Sequence, residues 1–146
     1  HLTERLLEQN CDIVVADDFS RGSLGNIEQL EDKIDLVPTD LTTAEGCLRA
    51  TEGVDHVFHL AARVGGIQYI QREHVGGLTP SVLMHQHMLE AFRINDVDRF
   101  LSASTACIHR QQHDGLNRLT EDQATPSDPH SSYGWANVLG AVACRA

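Results

Sequence analysis

Basic residues are scarce in this chain. Eleven Lys and Arg stand against 21 Asp and Glu, a formal charge of −10 at neutral pH. A net anion of that size lacks the basic face that DNA, RNA or an anionic bilayer needs, so no nucleic-acid or membrane partner is expected. No apolar run approaches the roughly 18 residues that a spanning helix requires. The 4 cysteines (Cys11, Cys47, Cys107, Cys144) are scattered, with no Cys-x-x-Cys pair. That spacing favours a reduced, cytoplasmic setting over a disulfide scaffold. Internal repeats and low-complexity tracts are absent as well, which excludes solenoids and disordered arrays.

What is present is an ordinary globular balance, 41% apolar and 22% charged over 146 residues. A chain of that length buries about two-thirds of its unfolded surface as one domain. Short apolar runs alternate with amphipathic stretches. Strands are expected at Asp12–Ala16, Asp35–Val37, Asp55–Leu60 and Arg99–Ser102, and helices at His1–Gln9, Thr43–Ala50, Pro80–Asn95 and Ser132–Ala146. Strand alternating with helix predicts an α/β fold, a doubly wound parallel sheet of Rossmann type. The polar stretch Arg110–His130 reads as a loop, and loops that long in an α/β domain are often functional. The helix from Pro80 is apolar on two sides, with Val82, Leu89 and Phe92 along one and Met84, Met88 and Ala91 along the other. One side suits the sheet; the other suits either a second subunit or the interior of its own domain.

The chain opens at His1, directly in a helical pattern. A first strand and a glycine-rich turn are therefore expected upstream of it. In the strand order 3-2-1-4-5 that first strand is central. The strands at Asp12–Ala16 and Asp55–Leu60 should then flank its position, or close up and pair directly.

Candidate chemistry gathers at strand ends. Asp17 closes the first strand, in Val14-Val15-Ala16-Asp17-Asp18-Phe19-Ser20. A carboxylate there accepts hydrogen bonds from adenosine ribose hydroxyls and repels a 2′-phosphate, which favours NAD over NADP. Turn or cap duty is the plainer role for Asp at a strand end. Asp40-Leu41 follows the second strand, and Leu60-Ala61-Ala62 the third, where small residues let a ring or ribose approach the backbone. Ser104-Thr105-Ala106-Cys107 follows the fourth, and Tyr133 opens the last helix in Ser132-Tyr133-Gly134-Trp135-Ala136-Asn137. A strand-end hydroxyl and a helix-start tyrosine are the polar parts of a hydride-transfer site.

With these parts in this order, the chain resembles the extended short-chain dehydrogenase/reductase family, the NAD-dependent sugar epimerases and dehydratases. Arg63-Val64-Gly65-Gly66-Ile67-Gln68-Tyr69-Ile70-Gln71, Met88-Leu89-Glu90-Ala91 and Ser104-Thr105-Ala106-Cys107-Ile108 are most similar to the GDP-mannose 3,5-epimerases. The resemblance implies an NAD cofactor held by Asp17, Asp18, Ser20, Arg21, Asp40, Leu41, Leu60, Ala61, Ala62, Tyr133 and Asn137. It implies a nucleotide sugar, GDP-hexose favoured, against Gly65, Gly66, Thr105, Ala106 and Cys107. Tyr133, Thr105, Cys107 and Asn137 would form the catalytic set. It also implies a homodimer, and a partial NAD-binding domain over residues 1–146 whose C-terminal substrate domain lies outside the chain.

Two positions depart from the family pattern. Tyr-x-x-x-Lys becomes Tyr133…Asn137, and Pro80-Ser81 stand near the start of the long helix where the family has Asn. The family lysine binds the nicotinamide ribose and holds the tyrosine as phenolate. A phenol of ordinary pKa, near ~10, is only about one part in a thousand ionised at pH 7. Asparagine can reach a ribose at i, i+4 but supplies no charge. Asn137 and Ser81 thus favour a second reading, a non-catalytic dinucleotide-binding or regulatory protein of the same fold. No metal is expected: His85-x-His87 diverge on a helix, His109 and His113 lack a third ligand, and the remaining histidines read as surface residues or cap partners.

Overall fold

The computed structural model describes residues 1–66, 68, 72, 74–109, 120, 129 and 131–145. In chain order the main elements are α1 (Leu2–Leu7), β1 (Val14–Asp17), β2 (Asp35–Pro38), α2 (Ala44–Ala50), β3 (His56–His59), α3 (His74–Ile94), β4 (Arg99–Ser102) and α4 (Ser132–Ala143). Short 3-10 turns at Leu24–Asn26, Glu28–Lys33 and Ala106–Ile108 fill the connections. The expected loop at Arg110–His130 falls outside the described residues apart from Thr120 and Pro129.

All strand pairing is parallel. β1 runs beside β2 with Val14 opposite Asp35, and β3 beside β4 with His56 opposite Arg99. β1 and β3 share no ladder among the described residues.

The core is small and sits where α2 and α3 meet both strand pairs. Leu41, Cys47, Met84, Met88 and Ala91 are buried, with Ala16, Val57, Ala61 and Phe100 packed around them. Burying each methionine contributes about 1.5–3 kcal/mol. Cys47 is fully covered, and burial followed by the nearby Asp40 charge pushes its thiol up to about 11. Two polar clamps hold α2 in place. Thr43 caps its N-terminus through Gly46 N–H at 3.1 Å, and Asn95 Nδ2 reaches across from α3 to Leu48 O at 2.9 Å and Thr51 Oγ1 at 2.8 Å.

Several boundaries differ from the sequence expectation. β1 starts at Val14 and ends at Asp17, so Asp12 and Ile13 precede the strand and Asp17 belongs to it. α3 runs six residues further back than expected, from His74, and Pro80 lies inside it. The turn preceding Pro80 contains Gly76 and Gly77, so no side chain at position 76 adds to the crowding that a proline ring causes four residues earlier. α4 ends at Ala143, with Cys144 as its cap.

The two apolar sides of α3 both find cover within the chain. Met84, Met88 and Ala91 enter the core, while Val82, Leu89 and Phe92 are half-buried, Phe92 meeting Phe100 edge-on at 5.5 Å. The uncovered apolar side chains are different ones: Leu83 on α3 and Trp135, Leu139 and Val142 on α4. Among the described residues no helix is long and apolar enough to cross a membrane, and all 4 cysteines are free.

Candidate functional site

Parallel pairing brings the C-terminal ends of β1 and β2 to one side and those of β3 and β4 to one side, and the first group of candidate residues lies on the loops after β1, β2 and β3. Asp17 is half-buried at the end of β1, and its Oδ1 accepts the Phe19 N–H at 2.7 Å. That bond holds Phe19 at φ +54°, a left-handed conformation uncommon for a bulky side chain. Asp18 accepts the Ser20 N–H at 2.9 Å. Hydrogen bonding from the Ser20 hydroxyl and then its N–H, helped by the Arg63 charge, holds the Asp18 carboxyl below the usual range. The loop then turns back, placing Gly22 over the Asp17 carboxylate, 3.5 Å from the position a Cβ would take. Arg21 Nη2 donates to Val64 O at 2.6 Å and so ties this loop to the one after β3.

Asp40 is exposed after β2, its Oδ1 accepting both the Thr42 N–H at 2.8 Å and the Thr42 hydroxyl at 2.7 Å. Leu41 is buried in the core, so only its backbone can line a crevice there. Ala62 is exposed after β3, Ala61 is partly buried against the core, and Leu60 is 55% exposed. Gly65 is half-buried and Gly66 exposed with open space around its Cα. Ile67, Tyr69, Ile70 and Gln71 lie outside the described residues.

The second group sits after β4. Thr105 Oγ1 accepts the Cys107 N–H at 3.2 Å and caps the 3-10 turn Ala106–Ile108. A hydroxyl has one donor and two acceptor sites, so that bond leaves the O–H proton to another partner. The turn is pressed against the start of α4. A Cβ on Gly134 would collide with the Cys107 carbonyl and come within 2.5 Å of Pro129 Cβ, so glycine is what lets the backbones approach. Ser131 caps α4 through the Gly134 N–H at 3.2 Å, fixing the start of the helix one turn before Asn137. Tyr133 is the residue next to this contact, at the start of the helix that packs on the Ala106–Ile108 turn.

Asn137 is buried, 7% exposed, and its Nδ2 donates to the Tyr133 carbonyl at 2.9 Å. One of its two amide hydrogens is thereby held by its own helix. Gly134, Ser131 and the Arg21–Val64 link are site features the sequence reading missed. The serine had a visible signal, standing one residue before the helix; the other two depend on tertiary approach.

Histidines require one correction. His59 is neither a surface residue nor a cap but a core side chain, 3% exposed, and His85 is buried beside it at 6%. His87, two residues on, turns away and bonds Thr42 O at 2.9 Å, so the two helical imidazoles do diverge. Among the described residues no group of three His, Cys, Asp or Glu is placed to hold a metal. His113 lies outside them.

A parallel α/β arrangement, with acidic and small residues at the strand ends and a tyrosine helix resting on a hydroxyl-capped turn, defines a dinucleotide-dependent class of protein. Residues 1–146, the whole chain, match the NAD dependent epimerase/dehydratase family, and the chain belongs to it. It is 36% identical over 148 residues to GDP-mannose 3,5-epimerase of Arabidopsis thaliana, covering 99% of this chain and 38% of that protein. GDP-mannose 3,5-epimerase 1 of Oryza sativa subsp. japonica is 34% identical over 147 residues, covering 99% and 38%. The chain thus spans well under half the length of these relatives. In fold it is similar to the UDP-glucose 4-epimerase of Thermus thermophilus solved with NAD, with a TM-score of 0.83 at 24% identity over 99% of this chain and 45% of that one. The Thermotoga maritima UDP-glucose 4-epimerase, solved with UDP-glucose, also gives 0.83, at 20% identity over 99% and 46%.

Proposed function

We propose that the chain is the dinucleotide-binding part of an NAD-dependent nucleotide-sugar epimerase of the GDP-mannose 3,5-epimerase kind, with its substrate domain outside residues 1–146. The seating of Gly134 on the Cys107 carbonyl carries this reading, because it packs the start of the helix that bears Tyr133 against the turn that bears Thr105 and Cys107. The strand-end set fits a dinucleotide: a half-buried carboxylate under a returning loop, and an exposed alanine where a ribose or ring would approach. Asp17 would accept from the adenosine ribose, with Asp18, Ser20, Arg21 and Asp40 around it. Bound there, the nicotinamide supplies a reversible hydride acceptor.

The chain's own residues handle protons. Tyr133 takes the proton of the sugar hydroxyl that becomes a carbonyl, and Thr105 donates to that oxygen. Carbons next to a carbonyl are acidified, and Cys107 exchanges a proton there before the carbonyl is reduced again. Gly65, Gly66 and Ala106 border the hexose. Asn137 donates to backbone and does not supply the charge that the family lysine brings to the Tyr-x-x-x-Lys position, so turnover is slow. The uncovered Leu83, Trp135, Leu139 and Val142 support a homodimer through α3 and α4. The scattered free cysteines support a cytoplasmic location.

The test is exchange rather than product yield. The full-length protein, incubated with NAD and GDP-mannose in deuterated water, should place deuterium on sugar carbons, and Tyr133→Phe should stop it. The neutral Asn137, with one amide hydrogen held by its own helix, favours one second reading, a non-catalytic dinucleotide-binding or regulatory protein. NAD and GDP-mannose binding with no exchange at all would establish that reading instead.

A further inference from the structure

Two imidazoles meet in the seam between the second strand pair and the helices covering it. His59 ends β3, and its ring lies 4.9 Å from that of His85 on α3, edge to face at 78°, with Phe100 of β4 at 5.9 Å. On its far side His85 meets α4. Its ring atoms stand 3.0 to 3.1 Å from where a Cβ on Gly140 would be, so the glycine lets the helix close onto the imidazole. Ser81, one turn before His85, is buried with it at 2% exposure. His59 Nε2 and Ser81 Oγ are buried with no hydrogen-bond partner. Neither the Asp17 loop nor the Thr105–Cys107 turn uses these groups.

We propose that the His59–His85 pair is an acid-sensitive latch that holds the tyrosine helix, Ser132–Ala143, against the β3–β4 pair. Neutral rings fill the seam as aromatic surface. A proton on either one places a charge where no acceptor waits, and a buried charge without a partner is costly. The groups facing the rings are Phe100 from β4, Ser81 and the other imidazole from α3, and Gly140 from α4. Among the described residues no carboxylate, lysine or arginine acts on either ring. Opening the seam at α4 frees His85 to turn into water and so uncovers His59 behind it, which relieves a charge on either ring at the expense of the helix that carries Tyr133.

Burial, and then the charge of His85, pushes His59 down to about 4, and burial lowers His85 as well. Above the ordinary histidine range, near ~6.5, both rings are neutral whether the seam is open or closed. As pH falls from there towards 4, the open form takes up a proton that the closed form refuses, so closure weakens with acid. From pH 8 to pH 5 the open-to-closed ratio should rise roughly 30-fold through His59 alone.

Amide hydrogen exchange on the full chain, corrected for the intrinsic effect of pH, reads this directly. Protection of Ser132–Ala143 should fall roughly 30-fold between pH 8 and pH 5 while Ala44–Ala50 changes little, and His59→Phe should remove most of the fall. Equal loss in both helices, or an unchanged fall in His59→Phe, overturns the latch. Should His59→Phe not fold, imidazole titration by NMR in the unmutated chain decides. One ring with a midpoint below pH 5 supports the proposal, and 9 rings all titrating near the ordinary value overturn it.

Discussion

The β1–β2 half and the β3–β4 half are built on one plan and use their polar groups differently. Each is a parallel pair followed by a helix that meets the preceding loop through a glycine: Gly46 of α2 against the Asp40 carbonyl, Gly134 of α4 against the Cys107 carbonyl. In the first half the strand-end side chains are carboxylates, and Asp17, Asp18 and Asp40 each accept a backbone N–H two residues on. In the second they are hydroxyls and an amide, with Thr105 and Ser131 capping and Asn137 bonded back to its helix. A carboxylate can hold a turn with one oxygen and receive a ribose with the other. Asn137 has only two amide hydrogens, and one is already on the Tyr133 carbonyl. The carboxylates that keep an oxygen free thus lie at the proposed cofactor end, and the altered Tyr-x-x-x-Lys position lies at the proposed catalytic end.

The largest effect should come from filling the second glycine contact. Gly134→Ala sets a methyl group against the Cys107 carbonyl and Pro129, neither of which is the mobile end of a side chain. Overpacking of this kind costs about 1–3 kcal/mol, and a shift of roughly 1 Å at Tyr133 would lower activity about 10²-fold. Thermal melting and exchange rate in the full-length protein check the two parts. Gly46→Ala should destabilise by a similar amount, about 1–3 kcal/mol, because its Cβ meets the Asp40 carbonyl and two threonine hydroxyls, at 2.7 and 2.9 Å. It should leave the catalytic constant of whatever folds nearly unchanged. Equal loss of catalysis from both glycines would break the distinction between the halves.

A smaller effect sharpens the cofactor end. Asp17→Asn keeps an oxygen for the Phe19 N–H but removes the charge, so preference for NAD over NADP should narrow by about tenfold with little change in melting temperature. Paired titrations of the two cofactors read it, and an unchanged ratio would take Asp17 out of the ribose site. The smallest effects come from the caps. Thr43→Ala and Ser131→Ala should each cost about 1 kcal/mol in urea unfolding, the first without consequence for Tyr133 and the second loosening its helix.

Much of this plan is legible in the sequence because parallel α/β architecture puts its chemistry at strand ends. β4 falls at Arg99–Ser102 as expected, and Asp17, Thr105 and Tyr133 stand at or just past element ends, where local pattern is informative. Pro80 misled the boundary of α3, since proline favours a first helical turn and the Gly76-Gly77 pair before it reads as a breaker. The close approaches at Gly134 and Gly140, and the burial of His59 and His85, leave no local trace. Each depends on which distant element arrives at that face, and a histidine pattern looks the same whether a helix covers it or water does.

The central proposal is that Asn137 leaves Tyr133 and Thr105 without the charge that the family lysine supplies. The direct measurement is the rate of deuterium incorporation into GDP-mannose by the full-length protein, compared with its Asn137→Lys variant at equal saturation with NAD. The account predicts a gain of about 10²–10⁴-fold, lost again when Tyr133→Phe is added. An unmodified protein already as fast as the lysine variant would contradict it.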